Sequence, residues 1–261
     1  MRWLLIRGLG RLCAHWHDFP QIMREQGGAS EAICLNLPGF GEASNRATPV
    51  CVPRTTDDLR ARWLERCEQA GTTGEPWGVL GLSLGGMVAL DWLERFPGEF
   101  ACGVVVNTSI GASSHPFERM TPTALLAGAK SVVAGSVRTR ERRVLDLTSG
   151  KPDAAAEKYL DDREAIAKAN PIAPLPFVRQ LLAAARYPGP TPGAITTPCL
   201  VVVAEGDKLA SPRCSERLAE RLGMPIERHP WAGHDFNLDD PVWLAERARE
   251  WARNTINASA P

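Results

Sequence analysis

The stretch WGVLGLSLGGMVALDWLERF sets a serine, Ser83, in the spacing Gly81-Leu82-Ser83-Leu84-Gly85, with an apolar strand pattern before it and an amphipathic helical pattern after it. A turn that sharp holds its central residue in a strained backbone conformation. It also needs small residues two before and two after, because strand and helix approach too closely there for side chains. The hydroxyl is thereby lifted to a helix N-terminus, where the amide N–H of Leu84 faces any negative charge that develops on a neighbouring oxygen. A bare Gly-x-Ser-x-Gly also fits an ordinary Gly-rich turn. The strand before it and the helix after it make Ser83 a candidate nucleophile.

A serine hydroxyl is a poor nucleophile until a base takes its proton, and the chain offers five histidines. His15 and His17, with Asp18, precede the serine in CAHWHDF and read as the first turn of a helix, where they cap it or line a pocket; Trp16 between them is a candidate substrate contact. His115 and His229 fit surface or core positions. His234 stands in WAGHDFNLDDPVWLAERAREW, after the last predicted strand, in a loop that runs through Asp239-Asp240-Pro241 into a final amphipathic helix. It is the candidate base. The acid that orients it should end the preceding strand, and CLVVVAEGDKLASP places Glu205-Gly206-Asp207 directly after Leu200–Val203. Asp207 is the candidate, because the adjacent glycine lets the turn aim its carboxylate inward, whereas Glu205 faces solvent or a helix dipole. A serine activated in this way performs acyl transfer, with water as the default acceptor.

These residues need a frame that brings three strand ends together. Six short apolar runs bounded by Gly, Pro or polar clusters predict strands at Trp3–Ile6, Ala32–Leu37, Trp77–Gly81, Gly103–Asn107, Cys199–Ala204 and Pro225–His229. Helical patterns lie between several of them, including Thr56–Ala70 and Gly86–Phe96, so the fold class is α/β, a mostly parallel six-stranded sheet with helices on both faces. The alternation lapses between about residues 110 and 195. Helical stretches near Thr123–Ala134, Val137–Thr148, Asp153–Ala169 and Pro176–Arg186 predict a helical cap over residues 112–195, laid over the carboxyl edge of a core made of 1–111 and 196–261. Its apolar residues Phe117, Met120, Leu125, Leu126, Phe177 and Leu181 are expected mostly as core between cap and sheet, with Phe117 and Phe177 as candidate substrate contacts.

Thirty basic and thirty acidic residues cancel over 261 positions, which argues against nucleic acid and anionic membrane surfaces as partners. The first apolar run stops at Arg7, too short for a secretory signal, and no stretch has the apolar length of a membrane span. Seven scattered cysteines without a C-x-x-C pair predict buried, reduced thiols in a cytoplasmic protein, in preference to a disulfide framework or a zinc site. No Walker loop, dinucleotide fingerprint or metal-ligand cluster is present in the sequence, so neither a cofactor nor a metal is expected.

RGLG after the first strand, LNLPGFG after the second, GLSLGG, EGDKLASP and GHDFNLDDP together resemble the α/β-hydrolase superfamily. The likeness is to its capped serine carboxylesterases, such as the pimeloyl carrier-protein methyl ester esterases, and to related C–C bond hydrolases. The resemblance covers the sheet domain fully and the cap by position. It implies Ser83 as nucleophile, His234 as base, Asp207 as its partner, and the backbone amides of Leu9 and Leu84 as an oxyanion hole. Two features depart from the pattern. The chain opens at the strand that leads into the oxyanion loop, which predicts six strands in place of eight, and Arg7 stands where a histidine is usual. Arg7 either ties the loop by hydrogen bonds to carbonyls or helps to hold an anionic substrate.

The expected reaction is hydrolysis of a carboxylic ester of a small molecule. A thioesterase or C–C bond hydrolase would use the same triad, and a ligand-binding receptor could be built on the same scaffold. Over residues 112–195 twelve basic residues face eight acidic ones, and VRTRERR concentrates them. That run is expected as a solvated helix face; its alternative is a landing patch for an acyl carrier protein or coenzyme A thioester.

Overall fold

The computed structural model describes residues 1–132, 135–150 and 155–258. In chain order it contains β1 (Arg2–Ile6), α1 (Phe19–Glu25), β2 (Glu31–Cys34), α2 (Val52–Gln69), β3 (Trp77–Leu82), α3 (Leu84–Arg95) and β4 (Cys102–Val106). Then follow α4 (Pro116–Arg119), α5 (Pro122–Val132), α6 (Val137–Thr148), α7 (Ala155–Ala169) and α8 (Pro174–Arg186). The chain closes with β5 (Cys199–Ala204), α9 (Pro212–Leu222), β6 (Ile226–His229), α10 (Phe236–Asp239) and α11 (Pro241–Ala258). The predicted helix ends at 133–134 and 153–154 lie outside the described residues.

All six predicted strands form, in the order β2-β1-β3-β4-β5-β6, and every neighbouring pair is parallel. The continuous apolar runs follow from burial on both faces, with successive side chains pointing to opposite sides. Leu4, Ile6, Val79, Val105 and Val201 pack on one side with α2, α3 and Leu218 of α9. Trp3, Leu5, Leu80, Leu82, Val104, Val106 and Val202 pack on the other with Phe19 and Met23 of α1 and Leu244, Ala245 and Ala248 of α11. Trp63, Trp92 and Phe100 meet in a ring cluster with centroids 5.1–5.6 Å apart, which fastens α2 and α3 to the sheet. Parallel strands all end at one edge, so the loops after β1, β3, β4 and β5 converge there.

Two expectations fail. Cys13 and Cys34 are joined in a disulfide, with Cα atoms 5.6 Å apart, where reduced thiols were predicted. The cause is topological: β1 and β2 are parallel neighbours with Leu5 opposite Cys34, so the turn after β1 returns Cys13 to the end of β2 across 21 residues of sequence. Cys67, Cys102, Cys199 and Cys214 are free and buried, as a core role requires, and Cys51 is free and half-buried. The apolar residues predicted as core beneath the inserted helices are largely outside it. Phe117 is 67% exposed, Leu125, Leu126 and Phe177 are also exposed, and Met120 and Leu181 are half-buried. Helices α5 and α8 turn part of their apolar surface outward.

Candidate active site

β3 enters the turn and α3 leaves it with Ser83 at φ 59° and ψ −119°, a region that costs a side-chain-bearing residue about 1–3 kcal/mol. The surroundings enforce it. A Cβ on Gly81 would strike the carbonyl of Gly85, and one on Gly85 would strike the carbonyls of Ile6 and Arg7. Helix α3 therefore presses directly on β3 and β1, which only glycine permits. Ser83 N donates to Val106 O at 2.9 Å, and its carbonyl accepts from Gly86 N at 2.9 Å and Thr108 Oγ1 at 3.1 Å. The loop after β1 crosses above the serine: a Cβ on Gly8 would stand 3.0 Å from Ser83 Cβ and 3.5 Å from its Oγ. Leu9 follows in that loop, and Leu84 opens α3.

Asp207 and His234 arrive from the ends of β5 and β6. His234 Nδ1 lies 2.6 Å from Asp207 Oδ2, and both side chains are buried. A carboxylate only accepts, so Nδ1 carries the proton and the Nε2 lone pair is left for a substrate-side proton. Asp207 Oδ1 is held by the amides of Leu209 at 2.8 Å and Ala210 at 3.0 Å. Burial alone would make His234 harder to protonate. Asp207 and, more weakly, Asp235 outweigh that and hold its pKa above the ordinary imidazole value.

Asn107, a residue that sequence reasoning passed over, joins the two halves of the site. It directly follows β4 at φ 48°, and its Nδ2 donates to the carbonyls of Gly233 at 3.1 Å and His234 at 3.2 Å. Its Oδ1 accepts from Ala204 N at 2.9 Å. Because Val106 O already accepts from Ser83 N, two consecutive residues tie the serine turn and the histidine loop to one strand end. An Asn ending an otherwise apolar strand, in a conformation Asn tolerates, was the signal available.

A profile of the Alpha/beta hydrolase family matches residues 3–247. The chain belongs to the alpha/beta hydrolase family. Among solved structures it is similar to a thermophilic esterase from Thermogutta terrifontis, at 23% identity and a TM-score of 0.69, over 98% of this chain and 90% of that one. A protein assigned as a lipase from Acinetobacter baumannii AYE aligns at 22% identity and 0.74, over 99% and 85%. A lipase-esterase related protein from Clostridium acetobutylicum ATCC 824 aligns at 15% and 0.71, over 96% and 93%. None of the curated proteins compared with the chain matches it.

In this alpha/beta hydrolase Arg7 is buried, and its partners are side chains, neither the loop carbonyls of one expectation nor a position left open for the anionic substrate of the other. Nη1 donates to Asn237 Oδ1 at 2.5 Å and Nη2 to Asp235 Oδ1 at 2.8 Å, with the guanidinium 4.9 Å above the Trp16 ring. The charge of Arg7 is thereby matched by Asp235. Asp235 Oδ2 takes two further donors from the inserted helices, Arg163 Nη1 of α7 at 3.1 Å and Thr148 Oγ1 of α6 at 2.9 Å. Burial would raise the Asp235 carboxyl, but the Arg7, Arg163 and Arg11 guanidiniums overcome it and hold the group well below the usual carboxylate range. One carboxylate, next to His234 in sequence, thus connects the loop after β1, the histidine loop and two inserted helices.

The remaining candidates fall into place around this frame. Trp16 is fully buried and stacks on Phe19 at 5.2 Å, which makes it part of the core. His15 Nδ1 accepts from Leu12 N at 3.0 Å, closing a short turn over Cys13–Trp16, and burial keeps the ring neutral. Burial likewise pushes His17 down to about 4, where its ring lies 4.7 Å from Tyr159. His229 is buried with Nδ1 accepting from Ala232 N, and His115 caps α4. Phe177 of α8 packs on the loop after β1, since a Cβ on Gly10 would meet its ring at 2.9 Å, whereas Phe117 points to solvent. In the basic run, Arg138 is paired with Asp161 at 2.5 Å and Glu164 at 2.9 Å of α7, so acidic residues on the facing helix counter part of that patch. Among the described residues, no helix is long and apolar enough to cross a membrane.

Proposed function

We propose that this alpha/beta hydrolase is a serine hydrolase that cleaves a small-molecule carboxylic ester through an acyl-enzyme on Ser83. The observation that carries the reading is the joint geometry of Ser83 at φ 59° above β3 and the 2.6 Å contact between His234 and Asp207, bound to one strand end by Asn107. In the first half-reaction His234 Nε2 takes the Ser83 proton as Oγ adds to the ester carbonyl carbon. The negative charge on the former carbonyl oxygen is met by the backbone N–H groups of Leu9 and Leu84. Collapse breaks the carbon–alkoxy bond, and the leaving oxygen takes the proton from His234. In the second half-reaction His234 deprotonates water, hydroxide adds to the acyl carbon, and Ser83 leaves with that proton.

The helices between β4 and β5 act as the cap over this site, spanning residues 112–195 as proposed from the sequence. Phe177 is its contact with the oxyanion loop, and Arg7 serves that loop as a brace. A series of p-nitrophenyl esters tests the assignment. Hydrolysis with a burst of one p-nitrophenol per chain, lost in Ser83→Ala, is expected; retention of full activity by Ser83→Ala would refute the site. Matched oxy- and thioesters of one acyl group then separate an esterase from a thioesterase, with the oxyester expected to be preferred.

A further inference from the structure

Helix α8 buries Ala183 but also places a polar residue inward while leaving large apolar side chains outside. Leu175, Val178 and Leu182 are exposed, whereas the polar Gln180 points inward and is 2% exposed. Its amide oxygen accepts from the backbone N–H of Gly10 at 2.9 Å, one residue past Leu9 in the oxyanion loop. An N–H can only donate, so the atom facing Gly10 is the oxygen, and the NH2 group must occupy the other prong of the amide. That nitrogen is buried and has no hydrogen-bond partner among the described residues. Phe177, one turn earlier, closes over the same glycine. Ile172, 3.8 Å from the position of a Cβ on Gly10, lines a cavity of about 190 Å³ with Leu12 and Phe40 at the far end of the same loop; Gln180 itself does not line it.

A buried donor left unpaired is costly, and beside this loop an acceptor that arrives from outside would relieve the cost. Resting on the esterase reading above, we infer that Gln180 is a specificity-determining residue whose Nε2 donates to an acceptor oxygen on the substrate, a few bonds from the scissile carbonyl. The substrate class is therefore an oxygenated ester, with an ether, hydroxyl or keto oxygen near the reacting carbon, in preference to a plain alkyl ester. Its Oε1 meanwhile fixes Gly10, so one side chain sets both the loop and the selection.

The experiment compares kcat/KM for p-nitrophenyl methoxyacetate with p-nitrophenyl butyrate, and for 2-methoxyethyl acetate with butyl acetate. Each pair exchanges one methylene for oxygen, and each rate is divided by that ester's hydroxide rate. The corrected preference for oxygen in at least one pair is expected to be about tenfold or more in the wild type. It should fall below unity in Gln180→Glu, which keeps an acceptor for Gly10 N and replaces the donor, and approach unity in Gln180→Met. Equal corrected ratios in all three proteins, or no preference in the wild type, would overturn the inference. If the wild type hydrolyses none of the four esters and takes no fluorophosphonate label, the esterase reading itself fails, a result distinct from an esterase without the preference.

Discussion

In the proposed mechanism His234 must be neutral to accept the Ser83 proton, and the carboxylates around it favour its charged form. Its folded pKa lies above the ordinary imidazole value, so kcat/KM is expected to be constant at high pH. It should fall about tenfold per unit once the pH drops below that pKa. The acid limb should therefore sit above pH 6.5; a limb centred well below that value would show that Asp207 and Asp235 do not act on the ring. Asp207→Asn tests the same contact from the other side. The amide can donate to Nδ1 and trap the wrong tautomer, so kcat is expected to drop by about 10³–10⁴ with the fold intact. A loss of less than about tenfold in steady-state kcat would deny Asp207 its orienting role.

At the level of elements, the Asp235 carboxylate is where the helices between β4 and β5 grip the loop after β1 and the loop that carries His234. Arg7 after β1, Arg163 of α7 and Thr148 of α6 all converge on it, and Asp239 adds a second hold through Ser149 and the amides of Gly150 and Gly233. Asp235→Ala leaves two buried guanidiniums without their shared anion. It should destabilise the protein by about 3–5 kcal/mol, lowering the thermal midpoint by roughly 10 °C. Arg163→Met alone should cost less, because Arg7 and Thr148 still satisfy the carboxylate. The double variant should be less destabilised than the sum of the two single variants. Calorimetric melting of the three variants checks this, and an Asp235→Ala midpoint equal to the wild type would remove the latch from the account.

Across the whole molecule, what could be read from the sequence divides by range of interaction. The six strands were legible because burial on both faces writes an uninterrupted apolar run into each. The Ser83 turn was legible because its glycines fall at a fixed spacing within four residues of chain, although the demand on Gly85 comes from the carbonyls of Ile6 and Arg7 in the neighbouring strand and loop. Asp207 and His234 were legible as loop residues following strands, and their contact is the consequence of two neighbouring parallel strands ending together. Partners drawn from distant segments left no local trace. Arg7 and Asp235 are 228 residues apart, Gly10 and Gln180 are 170 apart, and the Cys13–Cys34 pair depends on β2 lying beside β1. The inserted helices misled for a different reason. Apolar residues in a helix suggest core, yet eight of the ten exposed large apolar side chains recorded for the described chain lie in that insertion. Periodicity reports an amphipathic helix but not the direction in which its apolar face is turned.

Catalysis as proposed rests on Ser83 as a nucleophile activated by His234 and Asp207. Its most direct test is the reaction of the intact protein with a fluorophosphonate, followed by peptide mass mapping. One phosphonyl group per chain, located on Ser83, absent in Ser83→Ala and formed at least about a thousandfold more slowly in His234→Ala, is the predicted result. No labelling of the folded wild type, or labelling on a residue other than Ser83, would contradict it.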